Sequence, residues 1–287
     1  MGPARSGAHV NSTNRAHVAH ARSVMLTIFA FLILAAPLRV PVISRARGGE
    51  RSEPASSLDP AGRIVTSRRG FYPQPLQALD APGDESNSTT FCVQQVQGSG
   101  DCLFHSIAIG MAFEDELRHV DMYDPELTQR VKELRALAVK TLTDDPNRTL
   151  FLEGEQELIT SELVEAAAEQ YGVTADEYCR SMKQPGVWGG GPEILALANA
   201  LQRPIHVFEP VAACNGTEFR LQLCGAFGSP RFDASGKPVC IVAADDRFPS
   251  CKPTEVKRHG EGGNHFLALL PVRCQPSSSN SKTEVSK

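Results

Sequence analysis

Acidic residues are missing from the start of the chain, where no aspartate or glutamate precedes Glu50. The same stretch contains the longest apolar run, residues 24–36, which Pro37 ends. As a helix this run would cover roughly 20 Å, less than the roughly 30 Å hydrocarbon core of a bilayer. A helix extended to Ile43 would be long enough to cross the hydrocarbon core, but it would have to include Pro37, Arg39 and Pro41.

Three interpretations of this N-terminal segment remain open. The run has the length of a signal-peptide core, and the scarcity of acids beside Arg, Ser and Ala is typical of organelle transit peptides. The third is an uncleaved membrane anchor over residues 24–43. An anchored chain whose folded domain faces the cytosol is favoured over organelle targeting and over the secretory pathway.

The eight cysteines include no C-x-x-C pair. Structural zinc sites are usually built on such paired spacing, so no metal site is predicted. Small secreted disulfide frameworks are also much shorter than this chain. The cysteines therefore indicate thiols in a reducing compartment.

Net charge is close to neutral, at −4, and no basic stripe with interleaved aromatic residues occurs. The composition therefore does not favour nucleic-acid binding. It indicates four segments: a targeting or membrane-anchor segment (1–48), a disordered linker rich in Pro, Gly and Ser (49–89), one folded domain (90–273) and a disordered polar tail (274–287).

Apolar periodicity predicts five helices in the domain, over 102–113, 125–142, 162–170, 174–182 and 192–201. Thr174 and Glu177 have the spacing of a capping box. Strands are predicted over 204–209, 219–223, 239–243 and 266–272. Because helices come first and strands later, the order indicates an α+β fold with a mixed or antiparallel sheet.

Cys102 is the first candidate catalytic residue, because it begins the apolar helix directly after Gly98-Ser99-Gly100-Asp101. The positive end of a helix favours a thiolate, which is the nucleophilic form. A glycine-containing turn lets the backbone N–H groups of Gly100, Asp101 and Cys102 approach an oxyanion. A buried structural cysteine is the alternative.

His265 is the candidate base, since a thiol nucleophile needs one within hydrogen-bond reach. It follows the glycine-rich segment 260–264 and opens an apolar strand. His105, one turn after Cys102, is expected to pack in the interior.

Three segments together resemble the ovarian tumour (OTU) family of cysteine deubiquitinases. GSGDCLFHSIA (98–108) resembles the family's cysteine loop, and GGNHFLALLP (262–271) is similar to its histidine strand. Between them, 177–209 looks like the family's Trp-Gly-Gly turn, Glu-containing helix and Arg-Pro strand. The resemblance implies a papain-like fold, helices packed around a small mixed or antiparallel sheet, with Trp188, Gly189 and Gly190 supporting helix–strand packing.

The resemblance also implies a function: hydrolysis of isopeptide bonds at the C-terminus of ubiquitin or a ubiquitin-like modifier, without a cofactor. Cys102 would attack the carbonyl and form a thioester, and His265 would act as base and then as acid. Ubiquitin or polyubiquitin chains are the expected partners.

The chain departs from the family pattern at the group that orients the histidine. At the two positions where the family usually places this group the chain has Ser99 and Leu267. Asn264, Ser99 and Asp101 are the candidates for the role.

Two other functional hypotheses stay open. One is an OTU pseudoenzyme, catalytically weak or inactive, that binds ubiquitin, which the missing acid motivates. The other is a lumenal protease without ubiquitin specificity, which the N-terminal run and sequons at Asn87, Asn147 and Asn215 motivate.

Overall fold

The structure, a computed structural model, covers the predicted catalytic domain in several ranges. It describes residues 76–79, 89–116, 118–153, 156–213, 215–229, 231–232, 237–244, 248, 251–255 and 265–272. The segment 1–48, the tail 274–287 and Asn264 lie outside the described residues. Within the described ranges, no helix is both long enough and apolar enough to cross a bilayer.

Five α-helices are present, as the sequence predicts, and their ends differ from the predicted ones by three residues or fewer. They are α1 (Cys102–Glu116), α2 (Pro125–Thr143), α3 (Thr160–Tyr171), α4 (Ala175–Met182) and α5 (Gly191–Leu201).

Local capping explains where two of the helices begin. Asp124 caps α2 by accepting a hydrogen bond from the Glu126 N–H, and Pro125 occupies the first turn, where its missing N–H costs nothing. The predicted capping box of α4 is confirmed, because Thr174 and Glu177 each accept a hydrogen bond from the other's backbone N–H.

The strands form a mixed sheet that closes on itself, in the order β1-β2-β8-β7-β5-β6 with β1 paired to β6. The pairs β1–β6 and β5–β7 are parallel, and the other pairs are antiparallel. A separate hairpin joins β3 to β4. The eight strands are β1 (Leu76–Leu79), β2 (Thr90–Gln94), β3 (Thr149–Phe151), β4 (Glu157–Ile159), β5 (Ile205–Ala212), β6 (Phe219–Phe227), β7 (Val239–Ala244) and β8 (His265–Pro271). The α+β class and the mixed sheet are confirmed.

The predicted linker, 49–89, is wrong at its C-terminal end, because β1 lies inside it. Leu76 and Ala78 are buried while Gln77 is exposed, which is the alternation of a strand with one face on the core. Four residues are too few for this period to stand out in a stretch rich in Pro and Gly. The folded unit therefore includes residues 76–79, and the short strands β2, β3 and β4 were also not predicted.

Helix α1 is the element around which the domain is assembled. Eleven of its fifteen residues are buried, and it packs against β8, α2 and β7. This packing sets the first turn of α1 against the start of β8, so that Cys102 and the residues that begin β8 are brought to one place.

A buried carboxylate, Glu193, holds the start of α5. Its Oε1 accepts a hydrogen bond from the Tyr178 hydroxyl at 2.7 Å, and its Oε2 accepts from the Gly190 N–H at 2.8 Å. Burial raises the pKa of the Glu193 carboxyl, while the two hydrogen bonds and Arg135 oppose that shift. The carboxylate thus joins α4 to the turn that precedes α5.

We expect Glu193→Ala to lower the free energy of unfolding by about 2–4 kcal/mol, because it leaves two buried donors unsatisfied. Glu193→Gln should cost less than half of that, since its amide can accept from Gly190 and donate to the Tyr178 oxygen. Urea denaturation followed by circular dichroism measures both. Equal losses in the two variants would contradict the hydrogen-bonding role.

Candidate active site

Cys102 is the first residue of α1 and is almost fully buried, with 3% of its surface exposed. A tight turn precedes it, in which the Cys102 N–H donates to the Ser99 carbonyl oxygen at 3.0 Å. The Ser106 hydroxyl donates to the Cys102 carbonyl oxygen at 2.8 Å one turn later. The sequence expectation that Cys102 begins this helix is therefore confirmed.

His265 begins β8 and pairs with Ala244 of β7. The N–H of the next residue, Phe266, donates a hydrogen bond to the Cys102 sulfur. The structure thus brings together the two residues singled out in the sequence as nucleophile and base, although 163 positions separate them in the chain.

Two opposing effects act on the Cys102 thiol, and burial is the larger. Burial raises the pKa of Cys102 above its ordinary value, whereas the N–H groups of Phe266, Leu103 and Cys102 itself lower it. The Asp101 carboxylate raises it further. The amides at the helix start act in the expected direction, but burial outweighs them.

The three candidates for orienting His265 have different surroundings. Asn264 lies outside the described residues. Ser99 is half-buried, and its carbonyl is used by the Cys102 N–H. Asp101 Oδ1 accepts from Arg135 Nε at 2.9 Å and Nη2 at 2.5 Å, and its Oδ2 accepts from the Gly186 N–H at 3.1 Å. Leu267 is fully buried.

Arg135 of α2 is a site residue that sequence reasoning missed. Its side chain is 4% exposed and donates to Asp101 and to three backbone carbonyls: Gly100 at 3.2 Å, Val187 at 2.6 Å and Met182 at 3.1 Å. The sequence does contain an indication of its burial, because Arg135 follows Val131 by four residues and so lies on the apolar face of α2.

The turn before α5 lies directly on the cysteine loop. A Cβ added to Gly100 would collide with the Gly186 carbonyl and lie 2.5 Å from Trp188 Cδ1, and one added to Gly189 would lie 2.9 Å from Leu103 Cδ2. Trp188 and Gly189 therefore contact the cysteine loop and the first turn of α1, whereas the sequence expectation was helix–strand packing.

His105 is buried, as expected, with Nδ1 at 3.1 Å from the Asp101 carbonyl oxygen. Among the described residues, no cluster of His, Cys, Asp and Glu has the arrangement of a metal site.

The close approach at Gly100 gives a test of the loop geometry. We expect Gly100→Ala to lower the free energy of unfolding by about 1–3 kcal/mol, because a Cβ there forces backbone apart. The rate at which iodoacetamide labels Cys102, followed by mass spectrometry, should also differ from that of the wild type. Gly98→Ala is the matched control, since a Cβ at Gly98 meets nothing within 4 Å. Equal free energies of unfolding and equal labelling of Cys102 in the two variants would contradict this packing of Gly100 against the turn before α5.

Comparison with known proteins identifies a family and two curated relatives. The family model described as "OTU-like cysteine protease" matches residues 97–232. The OVARIAN TUMOR DOMAIN-containing deubiquitinating enzyme 3 of Arabidopsis thaliana is 26% identical over 60% of this chain and 69% of its own length. Enzyme 4 of the same plant is 28% identical over 68% of this chain, but only 48% of its own length.

Solved OTU structures are among the structural neighbours. An OTU domain in complex with ubiquitin has a TM-score of 0.35 and 17% identity, covering 66% of this chain and 79% of that one. The Hazara virus OTU bound to ubiquitin has a TM-score of 0.36 and 21% identity, covering 66% and 94%. Residues 97–232, which include the cysteine loop, thus match the OTU-like cysteine protease family, and the chain is similar to two curated OTU-domain deubiquitinating enzymes.

Proposed function

We propose that this chain is a cysteine-dependent deubiquitinase that hydrolyses isopeptide bonds at the C-terminus of ubiquitin or a ubiquitin-like modifier. The observation that carries the proposal is the hydrogen bond to the Cys102 sulfur from the N–H of Phe266, the residue that follows His265. The substrate class follows from the family and from the two relatives, which are deubiquitinating enzymes.

In the proposed reaction, His265 removes the proton from Cys102 as the sulfur attacks the C-terminal carbonyl carbon of ubiquitin. The carbonyl oxygen becomes an oxyanion, which the backbone N–H groups of the cysteine loop stabilise. Protonated His265 then donates its proton to the departing lysine amine, and a thioester remains on Cys102. His265 next activates a water molecule, which hydrolyses the thioester and regenerates the thiol.

His265 has a defined task in this scheme because burial raises the pKa of Cys102. A thiol with a raised pKa holds little thiolate at neutral pH, so attack depends on removal of its proton by a neighbour. Asp101 has both carboxylate oxygens committed to Arg135 and Gly186. Asn264, Ser99 and Asp101 all remain candidates for orienting His265, since Asp101 Oδ2 accepts only one hydrogen bond from the described residues.

The alternative is an OTU pseudoenzyme that binds ubiquitin and cleaves it slowly or not at all. The observation that favours it is Leu267, a fully buried apolar residue where the family usually has an acid or amide. A histidine without an orienting partner retains part of its activity, since the third group sets its tautomer and position.

Ubiquitin with an electrophilic C-terminus should label the full-length chain on Cys102, as mapped by mass spectrometry. Cys102→Ala should abolish the adduct. His265→Ala should slow it by about 10²–10⁴-fold, the usual contribution of a general base. Cys179→Ala, which removes a half-buried thiol on α4, is the matched control and should label normally.

Two results would contradict the proposal. One is a folded chain whose Cys102 is not labelled, which, if ubiquitin still binds, favours the pseudoenzyme. The other is labelling that His265→Ala leaves unchanged, which would remove His265 from the mechanism.

Association with a membrane through residues 24–43 remains a prediction, because this segment lies outside the described residues. Cells that express the full-length chain should yield it in the membrane pellet, and deletion of 24–43 should move it to the supernatant. Deletion of 274–287 is the control and should not change the distribution. An equal distribution in all three forms would exclude this anchor.

A further inference from the structure

We propose that Arg135 is a positioning residue for catalysis: it holds the Gly100–Asp101 peptide so that the Asp101 N–H faces the reacting carbonyl. The inference rests on the proposed function, and it assigns to a buried arginine of α2 a part in stabilising the oxyanion. Four features of the structure support it.

The first feature is the direction of the Gly100 carbonyl. Arg135 Nη2 donates to the Gly100 oxygen at 3.2 Å, so that this oxygen points toward α2. The Gly100 carbonyl and the Asp101 N–H belong to one planar trans peptide unit, in which they point in opposite directions. The Asp101 N–H therefore points away from α2.

The second feature is what lies on the other side of the loop. The Cys102 sulfur accepts a hydrogen bond from the Phe266 N–H, which places it toward β8. Arg135 of α2 holds the loop through Gly100 and Asp101, whereas Phe266 of β8 contacts the next residue, Cys102. An N–H that points away from α2 thus points to the side where Cys102 would attack the substrate.

The third feature is the availability of this donor. The Cys102 N–H already donates to the Ser99 oxygen at 3.0 Å. The Asp101 N–H, in contrast, has no acceptor within the part of the chain that the structure describes. It can therefore donate to an oxyanion without first breaking a hydrogen bond to any of the described residues.

The fourth feature is the rigidity of Arg135 itself. Its guanidinium also donates to the Val187 and Met182 carbonyls, and its Cζ lies 4.3 Å from the centre of the Phe104 ring. Its Nε and Nη2 both bind Asp101 Oδ1, so the same arginine fixes the side chain and the preceding carbonyl of one residue. Lysine has a single nitrogen and cannot reproduce these directions.

The test compares two reactions of Cys102 in the full-length chain. Hydrolysis of ubiquitin with a fluorogenic C-terminal amide passes through an oxyanion. Displacement of bromide from ubiquitin with a C-terminal alkyl bromide forms a carbon–sulfur bond and expels bromide, without an oxyanion. A residue that positions the oxyanion donor should affect only the first reaction.

In Arg135→Lys we expect kcat for hydrolysis to fall about 10- to 100-fold, because loss of one oxyanion donor costs about 10²–10³ and a misdirected donor retains part of its effect. KM and the alkylation rate should change less than about threefold, since substrate binding and thiol reactivity are not touched. Arg130→Lys is the matched control, because Arg130 lies on the same helix and pairs with exposed Glu116. Its kinetics should equal those of the wild type.

Asp101→Asn is the second variant, and it replaces Arg135→Lys in the same comparison if Arg135→Lys is unfolded at the assay temperature. It preserves the shape of the side chain but weakens its bonds to Arg135, so kcat should fall while alkylation persists. Equal loss of hydrolysis and alkylation in a folded variant would show a merely structural role and overturn the inference, as would unchanged kcat. A wild-type chain without hydrolysis would overturn the proposed function and this inference together.

Discussion

The buried ion pair between Arg135 and Asp101 is the interaction on which the rest of the site depends. It connects three segments that are distant in the chain: the cysteine loop, α2 and the turn that carries Val187. Burying two charges is costly unless every donor and acceptor is matched, and here the guanidinium is matched by a carboxylate and three carbonyls. Asp101 is only partly buried, so the larger cost, about 3–5 kcal/mol, would come from removing its carboxylate and leaving the buried Arg135 charge without a partner.

The closed sheet supplies the other half of the site through the register of β8. This strand pairs with β2 on one side and β7 on the other, and residues 266–270 are buried. A slip of one residue would turn each side chain to the opposite face, so pairing on both sides fixes the register of β8 and holds His265 opposite Ala244. The proposed nucleophile, Cys102, thus lies at the start of a helix, and the proposed base, His265, lies at the start of a strand.

Much of this arrangement could be predicted from the sequence, and the failures have physical causes. The helices follow from apolar periodicity and from caps such as Thr174 and Glu177, because these signals are local. The strand over 76–79 could not be recognised, since four residues carry no reliable period and its partners lie far away in the chain. Arg135 was missed because a charged residue in a helix usually faces solvent, although its position four residues after Val131 places it on the apolar face of α2. The group that orients His265 also depends on tertiary placement, and Asn264 lies outside the described residues.

Detection of the acyl-enzyme is the most direct test of the account. The full-length chain would be mixed with a ubiquitin C-terminal ester, quenched in acid within one turnover and analysed by intact-mass and peptide mass spectrometry. We expect ubiquitin to be joined to Cys102 through a bond that hydroxylamine cleaves, as a thioester would be. Turnover of the ester with no ubiquitin on Cys102, or turnover that persists in Cys102→Ala, would contradict it.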